Sequence, residues 1–329
     1  MNTTHSPFVS LIVVNWNGVR VLQRCLDSLA RQTFSDFEII LVDNGSTDHS
    51  IDEIAGRNLN RIKLETNRGF AVANNIGVKS SRGKWIGLVN NDAFPEPEWL
   101  AHLIEATVSH APQFTFFSSR LIQSEDQTKL DGTSDVYHIS GLAWRRHYDR
   151  PAADFGHTVE QVFSPCAAAA LYPREAFIQA GGFDEDFFSY HEDVDLGFRL
   201  RLLGFRCLYV PDAVVQHIGS ASLGKRSPFA IYHGHRNMVW TFFKNMPTRL
   251  LFKYLPAHLF ANSFFLGYYS LQGQSRAIWR AKIDALRGLP GMLEKRRNIQ
   301  RASRVSASEI DRVLEHGWFS PYRRFANSR

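Results

Sequence analysis

Three stretches of this 329-residue chain gather oxygen and nitrogen ligands where an apolar run ends. The first, LVNNDAFPEPEWL, closes with Asn90, Asn91 and Asp92 before prolines stop it. A hard cation takes oxygen ligands and leaves room for phosphate oxygens, so one carboxylate with neighbouring amides can hold it. Asp92 is the candidate metal ligand; capping of the next helix is the plainer use of the same residues. The second stretch, GGFDEDFFSYHEDVDLGFRLRLLGF, joins a Gly-Gly turn, an acidic aromatic loop and a helix with Leu196, Leu200 and Leu203 on one side. Glu192, Asp193 and Asp195 fall at the start of that helix, where the dipole stabilises carboxylates, and acidic capping alone would explain some of them. Beside Phe187, Phe188 and Tyr190, however, a carboxylate can act as general base, and Asp193 is the candidate. The third stretch, LYVPDAVVQHIGSAS, ends a strand in His217. A lone histidine on an apolar strand is usually structural, yet one that follows the acidic helix can also join a carboxylate in binding Mg2+ or Mn2+.

Two further segments suit a nucleotide. DNGSTDHS puts Asp43 at the end of a strand, where its carboxylate can accept a hydrogen bond from the imide nitrogen of uracil or thymine. The alternative is a turn with a helix cap, and Asp48 is expected to cap a helix around Ile51 and Ile54. NRGFAVANNIGV sets a glycine turn before a helix, so backbone amides and Arg68 would face a nucleotide while Asn74 and Asn75 lie one turn in. Helix amino termini favour phosphate, although a plain strand-to-helix turn accounts for the segment equally well. Asn15 and Asn17 follow the first strand. A pocket for base and ribose, a cation for a diphosphate and a base for a hydroxyl are what transfer from a diphosphate-linked sugar requires.

The elements that must position these residues alternate. VSLIVV and FEIILVD read as buried strands, VRVLQRCLDSLARQT has helical apolar spacing, RIKLE is a short strand, FAVANNIGVKS a helix and KWIGLVN a strand, with a helix started by Pro95 and Pro97. Such alternation implies parallel strands with crossover helices and ligands at the strands' carboxyl ends. Residues from about Glu125 to Glu160 lack periodicity and suggest loops or antiparallel strands around the site.

Charge divides the chain. Residues 1–219 hold 19 Lys and Arg against 27 Asp and Glu, whereas residues 220–329 hold 19 against 5. The basic part is rich in Phe, Tyr, Leu and Trp, which favours an anionic lipid surface over nucleic acid. Tyr254 to Ser275 carries no Lys, Arg, Asp or Glu, but Pro256, His258, Asn262, Gln272 and Gln274 dilute its apolarity, so an interfacial or packed helix is expected rather than a span. His233, His235 and Arg236 are open to two uses, at a diphosphate or in helix packing. Cys25, Cys166 and Cys207 form no disulfide framework, and with no export signal expected in MNTTHSPFVS the setting is read as cytoplasmic, peripheral on the inner face of the membrane.

In their order and spacing, VVNWNG, LVDNGSTD, NRGFAVANN, NNDAFPEPEWL, GGFDEDFFSYHEDVDLGFRLR and the later histidine resemble the family-2 inverting glycosyltransferases of the GT-A fold, and within them the bacterial rhamnosyltransferase-like branch. The resemblance runs from about Val9 to Ser222. It implies an α/β GT-A fold with a mostly parallel central sheet and a C-terminal helical extension. The catalytic domain would span 1–225, its nucleotide-sugar half about 8–110 and its acceptor half about 111–225, followed by a basic, aromatic, membrane-associating helical region at 226–329.

The same resemblance implies that Asp43 reads the nucleobase, that Asn17, Arg68 and Asn74 lie in the nucleotide pocket with Asn15 beside them, and that Asn91 lies near the ribose. Asp92 and His217 would hold a divalent metal, Asp193 would be the base, and Glu192 would orient acceptor or sugar. Relatives often carry aspartates where this chain has Asn90 and Asn91, which weakens the hold on a cation. The Asn-Asn-Asp form points first to dTDP-rhamnose, with a UDP-sugar next, and to a lipid-linked or oligosaccharide acceptor. VVNWNGVRV is not the Gly-rich basic loop of a nucleotidyltransferase. A non-catalytic sugar-nucleotide-binding scaffold is the remaining alternative.

Overall fold

The computed structural model describes residues 6–54, 56–57, 59–219 and 227–321. Ser222, where the resemblance ends, and the domain boundary after 225 lie outside them. The chain opens with β1 (Val9–Asn15), α1 (Leu22–Ala30), β2 (Phe37–Asp43), β3 (Asn60–Lys63), α2 (Phe70–Ser80) and β4 (Trp85–Asn90). β1 pairs in parallel with both β2 and β4, and β2 with β3. The alternation in the sequence therefore becomes a parallel sheet half, with Asn15, Asp43 and Asn90 ending neighbouring strands. β1 sits between helices on both faces, which is why it is apolar nearly throughout rather than alternating. Val9, Leu11 and Val13 meet α1 and α3 (Trp99–Ser109), while Ile12 on the other face meets α2.

After β5 (Ala93–Pro95) come α3, β6 (Phe116–Gln123), β7 (Leu130–Gly132), β8 (Asp135–Tyr137), β9 (Ala143–Arg145), β10 (Glu160–Val162), β11 (Ala169–Pro173), α4 (Arg174–Gln179), α5 (Glu192–Leu202) and β12 (Cys207–His217). The large sheet runs β10-β12-β6-β11-β4-β1-β2-β3. β11 is antiparallel to β4 and β6, and β12 is parallel to β6, so the sheet stays mostly parallel. The register of β12 on β6 shifts between Val210 and Val214, where Pro211 cannot donate to the ladder.

Two local expectations are corrected. Only the short 3-10 turn Asp52–Ile54 follows Asp48, which instead accepts from the amides of Val19 (2.8 Å) and Ser50 (3.1 Å) and so ties the β1–α1 loop to the β2 loop. Pro95 ends β5 rather than opening a helix, and α3 begins at Trp99.

The C-terminal part is helical: α6 (Pro228–Asn245), α7 (Thr248–Leu271), α8 (Ser275–Ala302) and α9 (Ala307–Asp311). It is fused to the sheet domain through α5. Leu196 and Leu200 face the sheet, while Val194, Phe198 and Leu202 pack with Phe242 and Met246 of α6 and Ile310 of α9. Among the described residues no helix is long and apolar enough to cross a membrane.

Candidate active site

A cavity of about 850 Å³ opens at the carboxyl ends of the parallel strands. Asn91, Asp92, Glu192, Asp193 and His217 line it, together with Trp16, Asn44, Asp131, Asp135, Trp144 and Arg145. Residues from six separate stretches of sequence thus converge on one space.

Asp92 and His217 meet because β5 pairs antiparallel with β12, with Ala93 opposite His217. The Asp92 Oδ1 lies 3.2 Å from His217 Nε2, and His217 Nδ1 lies 2.7 Å from Asp131 Oδ2. A neutral imidazole that donates its Nδ1–H to Asp131 turns the Nε2 lone pair toward the Asp92 carboxylate, two acceptors face to face. Nε2 is buried and has no aligned hydrogen-bond partner. Either a proton or a cation relieves that contact. Although burial disfavours the charged ring, Asp92 and Asp131 hold the His217 pKa above its ordinary value. The pair therefore fits a divalent cation, with Asp131 as the carboxylate that orients a ligating histidine. Among the described residues no group of three or more His, Cys, Asp or Glu side chains is arranged to hold a metal, so diphosphate oxygens would have to complete the shell.

Asp193 and Glu192 sit at the first turn of α5. The loop before it is contorted: Phe188, Tyr190 and His191 have φ of 65°, 69° and 67°. Left-handed backbone in non-glycine residues costs about 1–3 kcal/mol each and clusters at functional sites. Asp193 accepts from the amides of Ala167 (3.2 Å) and Val194 (2.8 Å). Burial pushes its carboxyl above the usual range against the pull of those amides. Glu192 is driven up further, by burial and then by the Asp193 charge, and its Oε2 is buried with no hydrogen-bond partner. Two adjoining carboxyls do not both ionise readily. Of the two, Glu192 is held the further above its ordinary value, and Asp193 ionises the more readily.

The remaining predicted residues serve the loops around the cavity. Asn15 donates to Ser46 (3.1 Å) and Ser50 (2.9 Å) and accepts from Asn91 (2.8 Å). A Cβ at Gly18 would come within 2.2 Å of that Asn15 oxygen, so the close approach requires glycine there. Asn17, at φ 51°, accepts from the amide of Thr47 (2.8 Å), and Asp43 accepts from the amide of Ser46 (3.2 Å). Asn74 donates back to the Phe70 carbonyl (3.0 Å) within α2. Arg68 has an exposed side chain, while its amide donates to Asn44 Oδ1 (2.9 Å). Gly69, at φ 86°, begins α2 directly against Phe188, whose carbonyl would lie 2.6 Å from an added Cβ.

Sequence reasoning missed Asn44, Asp131, Asp135 and Arg145. Asp131 and Arg145 form an ion pair in the cavity wall, and Asp135 keeps one carboxyl oxygen buried without a hydrogen-bond partner. The last three lie on three-residue strands, too short to carry a period.

Residues 10–180 match Glycosyl transferase family 2. The chain belongs to that family. Among curated proteins it is similar to "Uncharacterized protein y4gI" of Sinorhizobium fredii, 28% identical over 233 residues, covering 67% of this chain and 25% of the relative. It is also similar to "O-antigen biosynthesis protein RfbC" of Myxococcus xanthus, 29% identical over 229 residues, covering 66% of this chain and 18% of that protein. The family-2 chain thus spans a quarter or less of these two relatives. Among solved structures it resembles GalNAc-T7 with UDP, GalNAc and Mn2+, at a TM-score of 0.59 and 18% identity over 73% of this chain and 48% of the other. That likeness supports the GT-A fold.

Proposed function

We propose that this family-2 chain is an inverting glycosyltransferase that moves a sugar from a nucleoside-diphosphate donor to a glycan or lipid-linked acceptor of a bacterial surface polysaccharide. The observation that carries the reading is one cavity walled by the Asp92–His217 pair and by Asp193 at the start of a helix. The O-antigen name of the Myxococcus relative supports the polysaccharide setting, and the UDP, GalNAc and Mn2+ of GalNAc-T7 support the donor class and the cation.

Asp43 is assigned the nucleobase, Arg68 and Asn91 the ribose and diphosphate neighbourhood, with Asn15, Asn17 and Asn74 holding the loops that carry them. When bound at Asp92 and His217, Mg2+ or Mn2+ supplies positive charge to the departing diphosphate. Arg145 adds a fixed positive charge from the cavity wall. Asp193 takes the proton of the acceptor hydroxyl. The acceptor oxygen bonds to the anomeric carbon from the face opposite the diphosphate, and the old carbon–oxygen bond breaks with its electron pair leaving on the diphosphate. Protonated Glu192 donates a hydrogen bond that orients sugar or acceptor.

The test is calorimetric binding of dTDP-rhamnose, UDP-galactose, UDP-glucose and GDP-mannose, with and without Mn2+, to wild type and Asp92→Ala. Metal-dependent binding of one donor, dTDP-rhamnose first, and its loss in the variant is expected. If no donor binds, the scaffold alternative loses its ligand as well, and the family's chemistry is absent from this chain.

We further propose that the helical region rests on the inner face of the cytoplasmic membrane. Phe252, Leu259, Phe260 and Phe264 are exposed on α7, and Trp279, Ile283, Leu286 and Leu293 on α8, where Arg276, Arg280 and Arg287 are also exposed. Spacings of four, three and seven residues on α8, and of seven and four on α7 with Leu259 and Phe260 adjacent, keep each set to one side of its helix. Apolar stripes beside arginines suit an anionic bilayer. Co-sedimentation with phosphatidylglycerol vesicles at low salt is expected, weakened by phosphatidylcholine alone and by Phe260→Ser with Trp279→Ser. Binding indifferent to these changes would remove the lipid reading.

A further inference from the structure

We propose that Arg236 and Asn237 of α6 are positioning residues for the base, so that the helical region is part of the catalytic apparatus as well as an attachment. The proposal deepens the glycosyltransferase reading and rests on it.

Asn237 is fully buried, and its side-chain NH2 lies within hydrogen-bond distance of three carbonyls of the contorted loop, Phe187 (3.0 Å), Ser189 (2.9 Å) and Tyr190 (2.7 Å), among which its two N–H groups are shared. Arg236 donates to the carbonyls of Asp186 (3.0 Å) and Phe187 (2.9 Å). Its Nε donates to Asn237 Oδ1 (2.9 Å). That last bond decides the orientation of the amide, because only one face of Asn237 can then accept while the nitrogen is turned to the loop. The Arg236 guanidinium in turn lies 4.2 Å from the centre of the Trp240 ring, one helical turn on.

The consequence is geometric. Left-handed φ at Phe188, Tyr190 and His191 persists only where surroundings over-determine it. The donors of two adjacent α6 residues, set against five contacts to loop carbonyls, provide that. From the other side the Phe188 carbonyl accepts from the amide of Ala71 in α2 (3.3 Å). The loop is thus pinned between the helix whose amino terminus faces the nucleotide side and the first helix beyond the sheet. His191 leads directly into Glu192 and Asp193, so any relaxation of the loop swings the α5 amino terminus and with it the base. The donor-side groups at the ends of β1 and β2, in the β4–β5 turn and on β12 are carried by the sheet rather than by this loop, whereas Arg68, next to Gly69, adjoins Phe188.

The test compares wild type with Asn237→Asp, which keeps the size and the acceptor for Arg236 but has no N–H to give, and with Asn237→Ala. Turnover (kcat), donor Kd and amide hydrogen exchange over 186–194 are read on folded protein. Displacement of about 1 Å at a reacting group can cost about 100-fold. The expected result is a kcat fall of about 10- to 100-fold in both variants, an unchanged donor Kd, and faster exchange confined to the loop. Full kcat in both variants, a loss of donor binding equal to the loss of kcat, or unchanged exchange in the loop would overturn the proposal. Wild type that binds no donor would instead overturn the glycosyltransferase reading, while the exchange comparison would still judge the anchor.

Discussion

Asp193→Asn is expected to lower kcat by about 10²- to 10⁴-fold, the range that a positioned general base contributes, with donor binding retained. The amide keeps the shape and one of the two backbone contacts, the acceptor for Ala167, so the fold at the start of α5 should survive. What it loses is the ability to take a proton. Glu192→Gln should cost much less, because Glu192, whose carboxyl burial holds well above its ordinary value, is proposed to act as a hydrogen-bond donor, which glutamine preserves at the same place. The pH dependence follows from the same burial. Asp193 works only when deprotonated, and its pKa is raised above the ordinary aspartate value near 3.9. Activity should therefore rise with pH on an acid limb lying above that value, and Asp193→Asn should abolish the limb along with the rate. The measurement is kcat against pH for wild type and both variants. A Glu192→Gln enzyme more impaired than Asp193→Asn would reverse the two assignments.

How much of this was legible beforehand depended on whether local pattern carried the information. The parallel half of the sheet was readable because β1, β2 and β4 are buried on both faces and end in polar residues. The family and the GT-A fold followed from six motifs in order. Asp92, Asp193 and His217 line one cavity. Asp131, Asp135 and Arg145 were hidden for a physical reason: β7, β8 and β9 are three residues each, β7 paired with β6 and β8 with β9, and three residues cannot display alternation. The Asp48 cap failed because a side chain at a turn has several amides within reach, and spacing alone does not choose among them. Arg236 stood open between diphosphate and helix packing. It packs, but against the loop that leads into Glu192 and Asp193, a distinction that no periodicity in α6 could express.

The largest effect on stability is expected from Lys244→Met. Lys244 is fully buried on α6, with its ammonium 2.5 Å from Asp184 and 2.7 Å from Asp195. Asp195 also takes two hydrogen bonds from Arg199 (2.9 and 2.7 Å) and one from Asn245 (2.7 Å). Lys295 of α8 reaches Asp184 at 2.5 Å. The network joins both flanks of the loop before α5 to the helical region. Burial weighs unequally on its members. It drives the Lys244 ammonium below its ordinary value, Asp195 notwithstanding, whereas at Asp184 the two lysines outweigh burial and hold the carboxyl below the usual range. Such a pair need not be worth more than apolar residues in its place, but removing one partner costs about 3–5 kcal/mol where the other is left uncompensated. Here Asp195 keeps Arg199 and Asn245 and Asp184 keeps Lys295, so a loss toward the lower end, about 3 kcal/mol, is expected. Denaturant unfolding of Lys244→Met should show that loss, and a shift under about 1 kcal/mol, the scale of an exposed pair, would mean that the network is solvated. Because Asp184 has its folded pKa depressed, its contribution is complete above the unfolded value near 3.9 and is lost as pH falls through the folded one. The wild type should therefore lose more stability on acidification than Lys244→Met, in which much of that depression has already gone.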